Sequence, residues 1–468
     1  MNLYGVAAVR AAERDCGVPE GVLIDRASTA VARRAALLMG GTYGRNVLVF
    51  AGPGHNGADA LWAAAKLAAR GAAVDVKLPL GEPRDEHGRE PLRRLRRAPR
   101  VRMGDGYDLT IDGVLGVGAR LWPDDDQPEW TYEFDAWKHG PVLAVDVPSG
   151  VDADTGHAPL GAVWADVTVT FGAKTGLYVG RGATLARQVE VADIGLRPVE
   201  PAATLVTALR AGHRLPDATG ERDKYRSGVV GVVAGSERYP GAALLACRGA
   251  MRMGCGYVRL VAPRAVADAV RAAYPEVVAV ERGGELPPAD AWVVGPGLGD
   301  EPDLVAAVLA TGKPTVVDAD AIALADRAAL RPDVVLTPHT GEFERLTGVP
   351  RADAERDRVG AARKAATDLG AVVLLKGTRT VVATPEGRAF VNPTGTAFLG
   401  TAGTGDVLAG TIAALFRLHD TAHDAAVSGA WLHGLAARLA SGDPAVAITA
   451  LDVAERLPDA ARIALAAC

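Results

Sequence analysis

Short valine-rich runs, each closed by a glycine turn and followed by a helical pattern, recur along this chain in two separate blocks. In the first, NVLVFAGPG (46–54) passes into NGADALWAAAKLAARG (56–71), and VDVKLPL, LTIDGVLG, VLAVDVPSG and ADVTVTFGAKTG read as further strands. The second begins again at VVGVVAG (229–235) and continues through GAALLACRGAMRMG, YVRLVAP, AWVVGPGLG, PTVVDAD, DVVLTPHTGE and AVVLLKG. It ends in a hairpin through TRTVVATPEGRAFVNPTG and then in helices. Strands alternating with helices bury both faces in a mostly parallel sheet, so each block predicts a three-layer α/β domain. At 468 residues the chain exceeds one comfortable core, and its 49% hydrophobic residues can fill two. The stretch 197–222, with prolines and weak periodicity, separates domains at 1–205 and 206–468. The blocks do not align as repeats, which implies a fusion of unlike modules.

Charge and cysteines narrow the function classes. The formal charge is −5 with acids and bases interspersed, so no single-sign field exists to grip nucleic acid or a membrane. The basic run at 89–100 (REPLRRLRRAPR) fits the solvated face of a helix. Four cysteines, at 16, 247, 255 and 468, form no CxxC pair or metal-ligand spacing and read as reduced structural thiols. The start MNLYGVAAVRAAERD does not resemble a secretory signal, and no apolar run reaches membrane-spanning length. A cytoplasmic homo-oligomer acting on small molecules is the expectation.

The most telling string is GTAGTGD at 400–406, running into VLAGTIAALF. Its glycines let backbone N–H groups approach a ligand, and the following helix aims its positive dipole end at the same point. Asp406 would repel a simple anion there, but it suits a base that deprotonates a hydroxyl attacking a phosphoryl group. Alone, the same string also fits an ordinary loop with Asp406 as helix N-cap. Lys376, after a strand, also fits an exposed strand-end lysine. His339, in the TPHTGE loop, can donate to a ligand amide or be a satisfied structural residue. Asp112 and Asp146 each follow an apolar strand and would lie at the carboxyl edge of a sheet, where α/β sites are built, or cap turns there. Lys174 also reads as a solvated lysine.

Seven strings in order make the second block resemble the ribokinase-like superfamily and, within it, the ADP-dependent NAD(P)H-hydrate dehydratases. They are DKYRSGVVGVVAGS (223–236), YPGAALLA (239–246), GPGLG (295–299), VVDADAI (316–322), LTPHTGEFERLTG (336–348), KGTRT (376–380) and GTGDVLAG (403–410). Over nearly all of 1–200 the first block is similar to the Rossmann-like NAD(P)H-hydrate epimerases, through AGPGHNGADA (51–60), IDGVLGVGA (111–119), AVDVPSGVDADTG (144–156) and VTFGAKTG (169–176). The fusion resembles bifunctional nicotinamide-nucleotide repair enzymes. The resemblance implies epimerisation of hydrated NADH and NADPH, then dehydration of the S form with ADP, giving NAD(P)H, AMP and phosphate.

Carried onto this sequence, the resemblance puts the nucleotide at Lys376, Gly377, Thr378, Arg379, Thr380 and Gly405. It puts the dehydratase substrate at Ala242, Gly297, His339 and the catalytic Asp406. Asn392 and Glu342 are secondary candidates for holding the loop or a magnesium-bound nucleotide, with Mg2+ expected on general phosphoryl-transfer grounds. In the epimerase block it implies substrate contacts at His55, Asn56, Gly57, Ala58 and Asp59, along the loop Gly116, Val117, Gly118, Ala119, Arg120, Leu121 and Trp122, and at Asp146. It implies potassium at Asn56, Asp112 and Ser149. Here His55, Ala58 and Ala60 replace the asparagine and glycines of an NNGGDG-type loop, and a Cβ at 58 or 60 disfavours positive φ. Asp25-Arg26-Ala27-Ser28-Thr29 replaces the usual Glu-x-Ala-Gly. The rival reading is a vitamin-precursor kinase of the ribokinase-like class carrying a non-catalytic binding or oligomerisation module.

Overall fold

The computed structural model describes residues 1–101, 106–138, 140–215 and 227–468, in two compact units, Asn2–Ala202 and Ala203–Cys468. The 223–226 part of the DKYRSG string and the 216–222 part of the expected boundary lie outside the described residues.

In the first unit six strands form a parallel sheet in the order Ala73–Lys77, Asn46–Ala51, Leu109–Gly113, Val142–Val145, Val167–Thr170 and Gln188–Val191. Side chains alternate across the strand Asn46–Ala51. Val47 and Val49 join one core with Leu61, Ile111 and Leu143, while Leu48 and Phe50 join another with Trp130 and Phe134. Both faces are covered, so the strand reads as an unbroken apolar run. Chain order reverses between Asn46–Ala51 and Leu109–Gly113, since each is followed by a strand on its outer side. The crevice at their carboxyl ends is where such sheets hold ligands. The basic run forms part of the helix Glu86–Leu95, which buries Leu92 and Leu95 while Arg93 and Arg94 pair with Glu86 and Glu90.

The expected concern over Ala58 and Ala60 does not apply. Both lie inside the helix His55–Ala68, and neither has positive φ. The close approach is made by other glycines: a Cβ on Gly57 would stand 1.9 Å from the Gly52 carbonyl oxygen, and one on Gly113 would stand 2.4 Å from the Ala60 Cβ. The substituted residues Asp25, Ser28 and Thr29 also have an explanation, because all three bind the Lys66 ammonium, at 2.7, 3.0 and 2.6 Å.

In the second unit the sheet runs Ala203–Leu205, Ala389–Val391, Val381–Ala383, Val372–Leu375, Val334–Leu336, Thr315–Val317, Ala291–Val294, Val229–Val233, Tyr257–Ala262 and Val278–Glu281. It is parallel from Val278–Glu281 to Val372–Leu375, and the expected hairpin supplies the antiparallel pairs, with Val382 opposite Phe390. Its order reverses between Val229–Val233 and Ala291–Val294. The helix Thr404–Leu415 packs closely on Pro240–Arg252 because both present glycine: a Cβ on Gly410 would stand 2.0 Å from the Ala246 oxygen, and one on Gly249 would stand 2.2 Å from the Val407 oxygen. Among the described residues no helix is long and apolar enough to cross a membrane.

Candidate active sites

In the second unit, functional side chains converge where the parallel strands end. Gly403 caps the helix Thr404–Leu415 with φ 87°, a left-handed conformation that favours glycine, and a Cβ there would also press on Leu245 Cδ1 at 2.4 Å, the movable end of that side chain. Asp406 is therefore not the N-cap; it lies in the helix's first turn, half-buried. His433, from the helix Ala422–Ser441, donates to the Thr404 carbonyl at 2.9 Å and fixes this turn; burial pushes its imidazole down to about 4, so it stays neutral.

Beside that helix end lies a residue the sequence reading did not single out. Asp318 follows the strand Thr315–Val317, is 1% exposed, and accepts from Thr337 Oγ1 at 2.7 Å and Lys376 Nζ at 2.9 Å. Lys376 also faces Glu342 at 3.7 Å. It is an ion-pair member and not the free strand-end lysine that its spacing also allowed. Burial works against its charge, but Asp318, Glu342 and Asp406 outweigh this and raise its pKa. A Cβ built on Gly405 would stand 3.4 Å from Lys376 Nζ and 3.9 Å from Asp318 Oδ2, which places the pair against the GTGD turn. Asp406 is pushed up to about 7, first by burial and then by the Asp318 charge, with Asp320 and Glu342 adding to it and Lys376 opposing. A carboxyl near neutrality beside an ammonium and a helix N-terminus has the equipment to exchange a proton with a hydroxyl while an anion is held.

The turn at 376–380 is closed internally, Thr380 Oγ1 donating to the Gly377 carbonyl at 3.0 Å. The buried Arg358 supports it by donating to the Leu375 and Lys376 carbonyls. Thr378 is exposed, whereas Arg379 commits a guanidinium nitrogen to the Pro393 carbonyl. Asn392 is a loop holder: its amide donates to the Ala430 carbonyl at 2.9 Å and accepts from the Thr394 N–H and hydroxyl. His339 caps the helix Thr340–Thr347, Nδ1 accepting from the Gly341 and Glu342 N–H groups while Glu342 returns a bond to the His339 N–H. Because Nδ1 accepts, the proton sits on Nε2, 3.5 Å from Glu342 Oε1, and burial holds the imidazole below its ordinary pKa. Ala242 and Gly297 are neighbours: Gly297 has φ 58°, and a Cβ on it would stand 2.8 Å from the Ala242 Cβ. A Cβ on Gly295 would stand 1.8 Å from the Asp318 carbonyl oxygen, which ties the GPGLG turn to the same site.

In the first unit the reversal point brings the expected residues together. Asp112 is fully buried at the end of Leu109–Gly113 and accepts from Ser149 Oγ (2.6 Å), the Ser149 N–H (2.8 Å) and the Val114 N–H (3.3 Å). Burial raises its carboxyl to about 6 against these bonds. Ser149 Oγ also accepts from the Leu115 N–H at 2.8 Å, and Asn56 Nδ2 donates to the Leu115 carbonyl at 3.0 Å. The three side chains thus gather oxygen atoms around one turn, a donor set that fits a hard cation.

The loop that follows lies against the helix start, since a Cβ on Gly116 would stand 2.9 Å from the Asn56 Cβ. Arg10 donates to the Val117 carbonyl beside Gly118, and Trp122 anchors the far end by donating to the Leu160 carbonyl at 2.7 Å. Ala119 and Leu121 are half-buried, and Arg120 is exposed. His55 is exposed, 3.5 Å from Glu20 and 3.8 Å from Asp85. Asp146, with φ 66°, is buried; its Oδ1 accepts from Lys174 Nζ at 2.6 Å, Thr170 Oγ1 at 3.1 Å and the Phe171 N–H at 3.2 Å. Lys174 is 1% exposed, so the solvated reading of this lysine is overturned: Asp146 gives its charge a buried partner.

Comparison with known proteins agrees with both halves. Residues 230–459 match the family described as NAD(P)H-hydrate dehydratase, and residues 20–176 match the YjeF-related protein N-terminus. The bifunctional NAD(P)H-hydrate repair enzyme Nnr of Mycobacterium leprae (strain TN) is 39% identical over 95% of each chain. The enzyme of that name from Moorella thermoacetica is 36% identical, over 91% of this chain and 89% of its own. Among solved structures, the ADP/ATP-dependent NAD(P)H-hydrate dehydratase from Bacillus subtilis, co-crystallised with ATP and Mg2+, is similar at 33% identity and TM-score 0.52, covering 56% of this chain and 98% of its own. A ribokinase-like superfamily protein from Enterococcus faecalis V583 shares the fold at 22% identity and TM-score 0.50, over 57% of this chain and 99% of its own. A vitamin-precursor kinase with a non-catalytic amino-terminal binding or oligomerisation module does not account for relatives named bifunctional that span both halves. With each half matched and the whole aligned nearly end to end, this chain belongs to the family of bifunctional NAD(P)H-hydrate repair enzymes.

Proposed function

We propose that the first unit epimerises hydrated NADH and NADPH and that the second dehydrates the S form with an adenine nucleotide. Phosphorylating the hydroxyl of the hydrated ring turns a poor leaving group into a good one. Asp406 takes the hydroxyl proton, the N–H groups of the 403–405 turn receive the phosphoryl oxygens, and Lys376 offsets their charge. The observation that carries this reading is the gathering of Asp406, Lys376 and Asp318 at one helix N-terminus. With ADP as donor, the phosphoryl group passes to the hydrate; its elimination gives phosphate and the reduced cofactor, and AMP remains. Lys376, Gly377, Thr378 and Arg379 border the nucleotide, and Ala242, Gly297 and His339 the hydrate.

Among the described residues no group of three His, Cys, Asp or Glu side chains is arranged to hold a metal ion. Magnesium in this reading is carried chiefly by the nucleotide's phosphates, whose charge it offsets. In the first unit Asn56, Asp112 and Ser149 would hold potassium, which supplies a fixed positive charge. The chain works as a cytoplasmic homo-oligomer on small-molecule substrates.

The test is incubation of the hydrate mixture with magnesium and either ADP or ATP, following nucleotide product and recovered reduced-nicotinamide absorbance together. Asp406→Asn is expected to abolish recovery while epimerisation continues; unchanged dehydration in that variant rejects the assignment.

A further inference from the structure

Two carboxyls in the first unit stand in opposite surroundings. Asp146 is bound by the buried Lys174 ammonium at 2.6 Å, the partner an ionised carboxylate needs. Asp59, on the helix His55–Ala68, has an enclosed Oδ1 with no hydrogen-bond partner, while the side chain as a whole remains partly exposed. The charged groups facing it are Asp146, Glu13 and Lys66. Lys66 is committed to Asp25, Ser28 and Thr29, and Glu13 in turn faces Lys174, Asp146, Arg10 and His55. Burial, then the Asp146 and Glu13 charges, hold the Asp59 carboxyl well above the ordinary range, with Lys66 opposing. The two groups belong to segments on either side of the strand Leu109–Gly113: Asp59 lies in the helix that follows the strand on one side of it, and Asp146 comes directly after the strand on the other.

We propose that Asp59 and Asp146, the latter paired with Lys174, are the proton donor and acceptor of the epimerisation, an inference that rests on reading the first unit as the epimerase. Water added to the enamine double bond of a dihydropyridine leaves the hydroxyl on a carbon bonded to the ring nitrogen. The Asp59 carboxylic acid gives its proton to that hydroxyl, and the C–O bond breaks with its electron pair leaving on water. The nitrogen lone pair closes a C=N bond. Water then adds to the opposite face, returning an electron pair to nitrogen, and its surplus proton goes to the Asp146 carboxylate. One proton has moved from Asp59 to Asp146, and the reverse reaction or exchange with solvent restores the start. An unpartnered enclosed carboxyl oxygen on Asp59 and a lysine-paired carboxylate at Asp146 are the two environments such a division of labour needs. Lys174 is a positioning residue in this scheme.

The full-length protein is given the purified R hydrate without nucleotide, so that no dehydration runs, and the S form is followed by chromatography. Asp59→Asn and Asp146→Asn are each expected to lose about 100-fold or more in epimerisation kcat with ADP-dependent dehydration of the S hydrate kept; Asp59→Asn also keeps the melting profile, whereas Asp146→Asn lowers it by leaving the Lys174 ammonium buried without its carboxylate. Lys174→Arg is expected to retain more of the rate than Lys174→Met. Full epimerisation by Asp59→Asn or by Asp146→Asn overturns the proposal, whereas a wild-type chain that does not epimerise overturns the reading beneath it. If Asp59→Asn fails to fold, the wild-type rate profile decides. A rate that falls as pH rises, when the Asp59 acid loses its proton, supports the donor role, and a rate that stays level up to about pH 9 overturns it.

Discussion

Two glycines in one turn separate structural from functional need. Gly403 is demanded by the fold, since its φ of 87° lies in the left-handed region that favours glycine. Gly405 lies inside the helix, and an added Cβ would meet only Lys376 Nζ at 3.4 Å and Asp318 Oδ2 at 3.9 Å. Gly405→Ala is therefore expected to keep or slightly raise the melting temperature, because alanine is the better helix former by up to about 1 kcal/mol and Gly405 sits in the first turn, where the gain is smaller. It is expected to cut dehydration at least about tenfold, because the methyl group stands where the phosphoryl oxygens approach. A variant with normal dehydration would show that the nucleotide does not reach this turn. In the proposed role as base the Asp406 carboxyl, held at about 7, acts only when ionised, and its ionised fraction grows as pH rises. Dehydration should thus climb with pH through about 7, with roughly a tenth of the maximal rate one unit below. Asp318→Asn removes the largest neighbouring charge that raises this pKa and frees Lys376 to face Asp406 more fully. Both effects move the same way, so the limb should shift to lower pH by about 1 unit while the maximal rate falls. A pH-rate profile of the variant that overlays the wild type would exclude this role for Asp318.

At the scale of elements, most of the architecture was legible because alternation is a local signal. The valine-rich strands at 46–51, 229–233, 291–294 and 372–375 follow from apolar runs bounded by glycine, and the hairpin at 381–391 follows from its turn residues. Short exposed or edge strands such as Gln188–Val191 and Val278–Glu281 lack that signal, because their partners come from elsewhere in the chain. The sites were legible only in part for the same reason. Asp406 and Asp112 announce themselves by motif, but the burial of Lys174 and the bridge from Asp318 to Lys376, 58 residues apart, exist only after the sheet forms. The capping role of His339 likewise depends on where its helix starts. The contact between Thr404–Leu415 and Pro240–Arg252 gives an element-scale prediction. An alanine at 410 would press its Cβ to 2.0 Å from a backbone oxygen that has no rotamer to escape into. Gly410→Ala is expected to cost about 1–3 kcal/mol or more and to lower the melting temperature of the second unit. Because this helix carries Asp406, dehydration should fall with it, while the first unit keeps its epimerisation rate.

For the whole molecule, the two proposed activities belong to units with separate reversal points and separate charged clusters. Asp112→Ala removes the acceptor for Ser149 and Val114 N–H groups and is expected to end epimerisation, leaving the chain able to dehydrate only S hydrate. Asp406→Asn does the reverse. Neither variant alone should restore cofactor from pure R hydrate with ADP faster than spontaneous epimerisation allows. Mixed, they are expected to restore it fully, because the S hydrate made by one chain is a dissolved dinucleotide that the other can bind. The recovered absorbance should then lag at first, while S hydrate accumulates, and the lag should shorten as the Asp406→Asn chain is increased. If the mixture restores nothing although each variant keeps its remaining activity on the free epimers, the S hydrate does not leave the chain that makes it.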